Sequence, residues 1–128
     1  MNLLFGLLFG LSVGGAMRLP GAEFIIAANA INLSVMAAIW LGIAIGVGQS
    51  RSHLIQETAA ATLTFVIAAL VFQSSPLWLY VGFFGQTIWS ALHIGNRYGA
   101  RAIAWYPGFA AMANLGFIAA LYVVWNIL

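Results

Sequence analysis

Gln86, Ser90, His93 and Arg97 stand at offsets 0, 4, 7 and 11 in an otherwise apolar run. At 3.6 residues per turn that spacing places all four on one narrow helical face. In a helix surrounded by hydrocarbon such a polar stripe is where chemistry would sit, because lipid offers a polar side chain no partner. Glu57, inside a second apolar run, adds an ionisable group, and Asn114, inside a third, adds an amide. Counted from the middle of the Ser74-Ser75 link, Glu57 is 17.5 residues back and His93 is 18.5 residues on. A link that short makes its flanking helices antiparallel neighbours, so the two side chains fall at one depth. The spacing predicts a hydrogen-bonded Glu57 and His93 pair, with Arg97 beside it. Such a pair can pass a proton, serve as base and acid, or hold two helices together. His93 is also the one candidate metal ligand, for a haem or a chlorophyll-type pigment. Gln86 is eight residues before Ile94 and Asn114 seven after Pro107. At about 1.5 Å per residue both lie some 10 to 12 Å deep, so they are expected to meet across a bundle.

The elements that position these groups are dictated by composition. Hydrophobic residues make up 64% of the 128-residue chain and charged residues 5%, against about 25% charged in a soluble domain. Four Arg and two Glu cannot cover a water-soluble fold of this length. The expectation is an all-α integral membrane bundle in one domain, residues 1–128, with five transmembrane segments in up-down order. A net charge of +2, dispersed and carried by Arg, suggests no nucleic-acid partner. The absence of Cys excludes disulfides and thiolate metal sites.

Read in order, the expected spans are residues 2–17, 22–48, 54–73, 76–94 and 106–128. The first is shorter than the roughly 20 residues that a helix needs to cross hydrocarbon, and without a basic leader it reads poorly as a signal peptide. Gly6, Gly10 and Gly14 fall four apart and make a small-residue seam on which a second helix backbone can lie. Ala38, Gly42 and Gly46 make another, a natural partner for the first. Asn29 and Asn32 share one face of the second span and are expected to bond across to neighbouring helices. Ala61, Thr64 and Ala68 continue the face of Glu57 at offsets 4, 7 and 11, so that face should turn toward protein; near the helix end, Glu57 could instead snorkel to the interface. Ser75 followed by Pro76 reads as an N-cap with proline at the first helical position. Trp105 and Tyr106 read as interfacial aromatics. Arg51, Arg97 and Arg101 fall in the second and fourth connections and only Arg18 on the other side. The positive-inside bias then places the N-terminus in the cytoplasm and the C-terminus outside the cell membrane.

Several segments together resemble a family of small uncharacterised bacterial multispan membrane proteins. They are Ile39-Trp40-Leu41-Gly42-Ile43-Ala44, Glu57, Ser75-Pro76-Leu77-Trp78, the run from Gln86 to His93, and Trp105-Tyr106-Pro107-Gly108-Phe109. That family's fourth helix reads approximately His-Gly-Leu-Trp-Asp-Leu-x-His-His, and its last begins Tyr-Pro-Pro-Phe-Cys with an Asp several residues on. Trp89, His93, Tyr106, Pro107 and Phe109 match. Gln86 stands where His is usual, Ser90 where Asp is, Ile94 for the second His and Asn114 for the Asp. Each departure replaces a group able to carry a proton or bind a metal with a neutral one. The resemblance implies the multispan fold and the place of the polar site, and brings no activity with it.

Four functions fit. The chain is foremost an accessory or interaction subunit that packs against other membrane subunits or itself in the lipid bilayer. Alternatives are a small proton-coupled transporter or channel using Glu57 and His93, an intramembrane enzyme on an apolar substrate, and pigment binding through His93. No nucleophile or metal set accompanies Glu57 and His93, so catalysis is disfavoured, and the identity of any cofactor is left open.

Overall fold

The computed structural model describes residues 2–17, 21–48, 50–95 and 98–126. Within them the chain is all-helical, in five helices: α1 (Asn2–Ala16), α2 (Ala22–Gly46), α3 (Arg51–Gln73), α4 (Trp78–Leu92) and α5 (Tyr106–Asn126). Three stretches, Glu23–Gly46, Arg51–Gln73 and Tyr106–Trp125, are long and apolar enough to cross a membrane. α1 and α4 have 15 residues each, about 22 Å of helix. Large apolar side chains stand exposed on every helix, among them Phe5, Ile45, Leu63, Phe84 and Tyr122, a surface suited to hydrocarbon rather than water.

Two helix starts differ from the expected ones. α3 begins at Arg51, three residues early, because the Ser50 side chain accepts the His53 N–H at 3.3 Å and caps the helix there. Glu57 is consequently deeper than a start at Leu54 implies. α4 begins at Trp78: Ser75 Oγ accepts the Leu77 N–H at 3.2 Å, but Ser75, Pro76 and Leu77 form a tight turn with bonds three residues apart. Pro76 therefore leads into the helix instead of occupying its first position.

The contacts define the order of packing. α1 lies on α5, α5 on α4, and α2, α3 and α4 on one another. Thr64 meets Gln86 and Glu57 meets His93, so α3 and α4 are antiparallel. Tyr80 meets Trp125 and Phe83 meets Phe117, so α4 and α5 are too. Gly6 faces Phe109, Gly10 faces Ala113 and Gly14 faces Ala120, so α1 runs parallel to α5. Odd and even helices thus alternate in direction. At the centre, Phe83 stacks on Phe117 at 5.2 Å, enclosed by Leu33, Leu79, Leu121 and Val71.

The α1 seam works as a backbone contact, but its partner is α5 and not α2. A Cβ on Gly6 or Gly10 would collide with the backbone of Phe109 or Ala113, and one on Gly116 with that of Leu7 and Leu11. Small residues on both helices permit that approach. Ala38, Gly42 and Gly46 are exposed, and a Cβ on Gly42 or Gly46 would meet open space. α2 instead turns Leu33, Ala37, Trp40 and Ala44 inward, because larger apolar side chains fill a core that glycine would leave hollow. Asn29 also departs from expectation: its Nδ2 donates to the Ile25 carbonyl of its own helix at 2.9 Å, and Asn32 Nδ2 has no protein partner.

Candidate functional site

The face of α3 carrying Glu57, Ala61, Thr64 and Ala68 is buried along its length. Glu57 therefore points into the bundle and does not snorkel. On α4 the buried face comprises Leu79, Gly82, Phe83, Gln86 and Ser90, and it ends at His93. Glu57 and His93 meet at Oε1 and Nε2, 2.6 Å apart, with both side chains wholly enclosed.

The geometry of His93 follows from how α4 ends. Its backbone N–H bonds to Ser90, three residues back, which releases the Trp89 carbonyl at the C-terminus. His93 Nδ1 lies 2.7 Å from that carbonyl. A carbonyl oxygen only accepts, so Nδ1 carries a proton and Nε2 faces the carboxylate. The pair then holds one further proton between Nε2 and Oε1, and it has no net charge whichever atom keeps it. Charge neutrality is what allows the two groups to remain buried.

The carboxylate has two more donors. Ala100 donates its backbone N–H to Oε1 at 2.6 Å, and the Trp89 indole donates to Oε2 at 2.9 Å. One residue earlier on α3, Gln56 Oε1 accepts the Gly99 N–H at 3.1 Å. Successive residues of α3 thereby bind successive amides of the segment joining α4 to α5. Gly99 adopts φ +64, and a Cβ there would lie on His93 Nε2 and Glu57 Oε1. Only glycine fits both the left-handed backbone and the space. Trp40 of α2 closes the remaining side, stacked on the imidazole with centroids 4.0 Å apart and planes at 29°, and it also touches Tyr106 of α5 at 5.2 Å. The site therefore joins α2, α3, α4, the following segment and the start of α5.

The structure brings Glu57 and His93 together, as their equal depth suggests, and leaves the other stripe residues in separate roles. Gln86 Nε2 donates to Thr64 Oγ1 at 2.8 Å, while Asn114 Nδ2 donates to the Ala110 carbonyl of its own helix at 2.9 Å. The expected Gln86 and Asn114 bond is not made, because each amide finds a nearer acceptor. Gln86 Oε1, Ser90 Oγ and Asn114 Oδ1 are buried without a protein partner. Arg97 lies outside the described residues. Sequence reasoning passed over Trp40, the Trp89 indole, Gly99 and Ala100 as site residues. Trp40 had a signal: Leu33, Ala37, Trp40 and Ala44 repeat at offsets 0, 4, 7 and 11, the same stripe spacing written in apolar residues.

Both ring nitrogens of His93 are engaged. Ligating a pigment metal would therefore break a bond within the pair or to the helix end, and Ser90 has no imidazole nitrogen to activate it. Compared with known proteins, the chain matches no protein-family model, no curated protein and no solved structure.

Proposed function

We propose that this chain is a small five-span membrane protein that acts through its exterior, as an accessory subunit packed against other membrane helices. The observation that carries the reading is the complete enclosure of Glu57 and His93, the pair best equipped for chemistry. Every nitrogen and oxygen of the pair is bonded to protein, and Gly99 and Trp40 pack directly on it. Its role is that of a latch. Removing the pair from the account of function leaves the outer surface. There α2 presents Ala38, Gly42 and Gly46 bare, although the comparable seam of α1 is filled. Beside Ala38, an apolar groove of about 430 Å³ runs between α2 and α3, lined by Ser34, Phe65, Ala68 and Phe72 among others. The topology follows the arginines, with the N-terminus cytoplasmic and α1 and α4 completing five crossings of the cell membrane. The family resemblance agrees with such a bundle.

The test is extraction of the tagged chain from its own membrane in mild detergent, comparing wild type with Gly42→Leu. A second membrane polypeptide at fixed stoichiometry, lost in Gly42→Leu while the chain stays folded, supports the reading. A wild-type chain that emerges alone refutes it.

One observation favours a second reading, a proton path. The partnerless atoms of Gln86, Ser90 and Asn114 lie on the buried side of α4 and α5, with Gln86 and Ser90 on the α4 face that ends at His93. The stacked Phe83 and Phe117 stand about one turn from Gln86 and Asn114, on the side away from His93. Proton flux in vesicles that Glu57→Gln abolishes without unfolding would establish this reading in place of the first.

A further inference from the structure

Three oxygens without a protein partner, Gln86 Oε1, Ser90 Oγ and Asn114 Oδ1, lie on the buried sides of α4 and α5. Their side chains are 3%, 0% and 1% exposed. The antiparallel register of the two helices is set by Phe83 stacked on Phe117 at 5.2 Å. Three residues toward His93 on α4 and three toward Tyr106 on α5 lead from those rings to Gln86 and Asn114. Each step is about 4.5 Å along its axis, so the two amides are level. Ser90 follows one turn on, level with Ala110, where both side chains are small.

Neighbouring bonds fix which atom of each amide is the oxygen. Asn114 Nδ2 lies 2.9 Å from the Ala110 carbonyl, which only accepts, so Oδ1 is the end left over. Thr64 donates its hydroxyl proton to the Ala60 carbonyl at 2.9 Å and therefore accepts from Gln86 at 2.8 Å. That makes the contacting atom Nε2 and leaves Oε1 over. Ser90 is the third case. Ser34, Thr58, Thr64 and Thr87 each return their hydroxyl to the carbonyl four residues back, a common resort of a helical hydroxyl. Ser90 does not, although it is wholly enclosed.

Two amide oxygens cannot satisfy one another, and leaving both buried and unbonded is costly. Whatever joins them must be small, because the side chains are enclosed. It must also be uncharged: Glu57 is committed to His93, and α4 and α5 contain no acidic residue, so a cation would stand alone. Water meets these demands. It donates twice, once to each amide oxygen, and accepts once, from the serine hydroxyl. Three bonds are what a buried water typically makes.

We propose that a water molecule is bound inside the bundle between α4 and α5, donating to Gln86 Oε1 and Asn114 Oδ1 and accepting from Ser90 Oγ. It joins the two amides that do not bond directly. The inference stands apart from both readings of function, since it requires only that α4 and α5 pack as described.

The experiment is NMR of the isotopically labelled full chain in lipid nanodiscs, reading cross-relaxation from water to the side-chain amides of Gln86 and Asn114. Both should show the signal of a long-lived water, while the backbone amide of Leu121, two turns along α5 and buried, stays silent. Asn114→Leu should remove most of the transfer to Gln86, and Ser90→Ala should weaken it, with the Phe83 and Phe117 ring contact kept in each. Ser90→Ala is the milder change and decides the matter if Asn114→Leu does not fold. No transfer at either amide of the wild type overturns the proposal. So does a direct bond from the Gln86 amide to Asn114 Oδ1, which would leave water no place between them. Transfer that the folded variants leave unchanged would put the water elsewhere and overturn it too. Proton flux and copurifying polypeptides are read by other assays, so failure here leaves both functional readings standing, and their failure leaves the water site standing.

Discussion

Replacing Glu57 with Gln tests the latch in one step, because it keeps size and shape while changing what the group can accept. The carboxylate takes the Ala100 N–H and faces His93 Nε2 through Oε1, and takes the Trp89 indole through Oε2. An amide has one oxygen and an NH2 group. With its oxygen toward Ala100, its nitrogen faces the indole N–H. With its oxygen toward the indole, its nitrogen faces the Ala100 N–H. Either orientation leaves one buried donor without an acceptor, at a cost of about 1–3 kcal/mol. The imidazole also loses its ionic partner, and breaking a buried pair from one side costs about 3–5 kcal/mol in total. Reversible unfolding of the chain in mixed micelles, followed by circular dichroism, should show a loss of that size. It should be accompanied by a change in tryptophan emission, since Trp89 bonds directly to the carboxylate. A loss below about 0.5 kcal/mol, the range of ordinary surface substitutions, would refute the reasoning.

Gly99→Ala should destabilise by at least about 1–2 kcal/mol from the left-handed backbone alone, and by more because the new Cβ overlaps Glu57 and His93; the same unfolding measurement reads it. Gly10→Leu should separate α1 from α5, seen as faster proteolysis or amide exchange in Asn2–Ala16, since the added side chain meets the Ala113 and Gly116 backbone. Gly42→Leu should leave the isolated chain within about 0.5 kcal/mol of wild type, because open space lies above that residue. Thr64→Val should cost about 1–3 kcal/mol by removing the acceptor of buried Gln86 Nε2, with helix content unchanged by circular dichroism.

The part of this site written in local spacing was legible in the sequence, and the part made by tertiary contact was not. Equal distance from a short antiparallel link carries depth directly, which is why spacing alone pairs Glu57 with His93. The buried face of α3 was equally readable, because Glu57, Ala61, Thr64 and Ala68 recur at helical period. Glycine spacing showed that a seam exists but carried no information on its partner. Gly6, Gly10 and Gly14 fit α5 and would also have fitted Ala38, Gly42 and Gly46; the choice depends on which face of α2 holds larger side chains for the core. The amides were misjudged for a different reason. A buried Asn in a helix can bond the carbonyl four residues back, as Asn29 and Asn114 do, and no sequence pattern separates that from a bond across helices. Gly99 and Ala100 were hidden by their surroundings, since they lie in an arginine-bearing connection that reads as a surface segment.

The most direct measurement is of the latch itself, by NMR of the 15N-labelled chain in lipid nanodiscs across pH 5 to 8. The account predicts a hydrogen bond between His93 Nδ1 and the Trp89 carbonyl, and an Ala100 amide, bonded to Glu57 Oε1, that exchanges with solvent only when the whole bundle unfolds. An Ala100 amide that exchanges fast while the bundle stays folded, with the His93 ring in contact with solvent, would show a site open to water. The enclosed pair could then no longer be the reason for placing function on the outer surface.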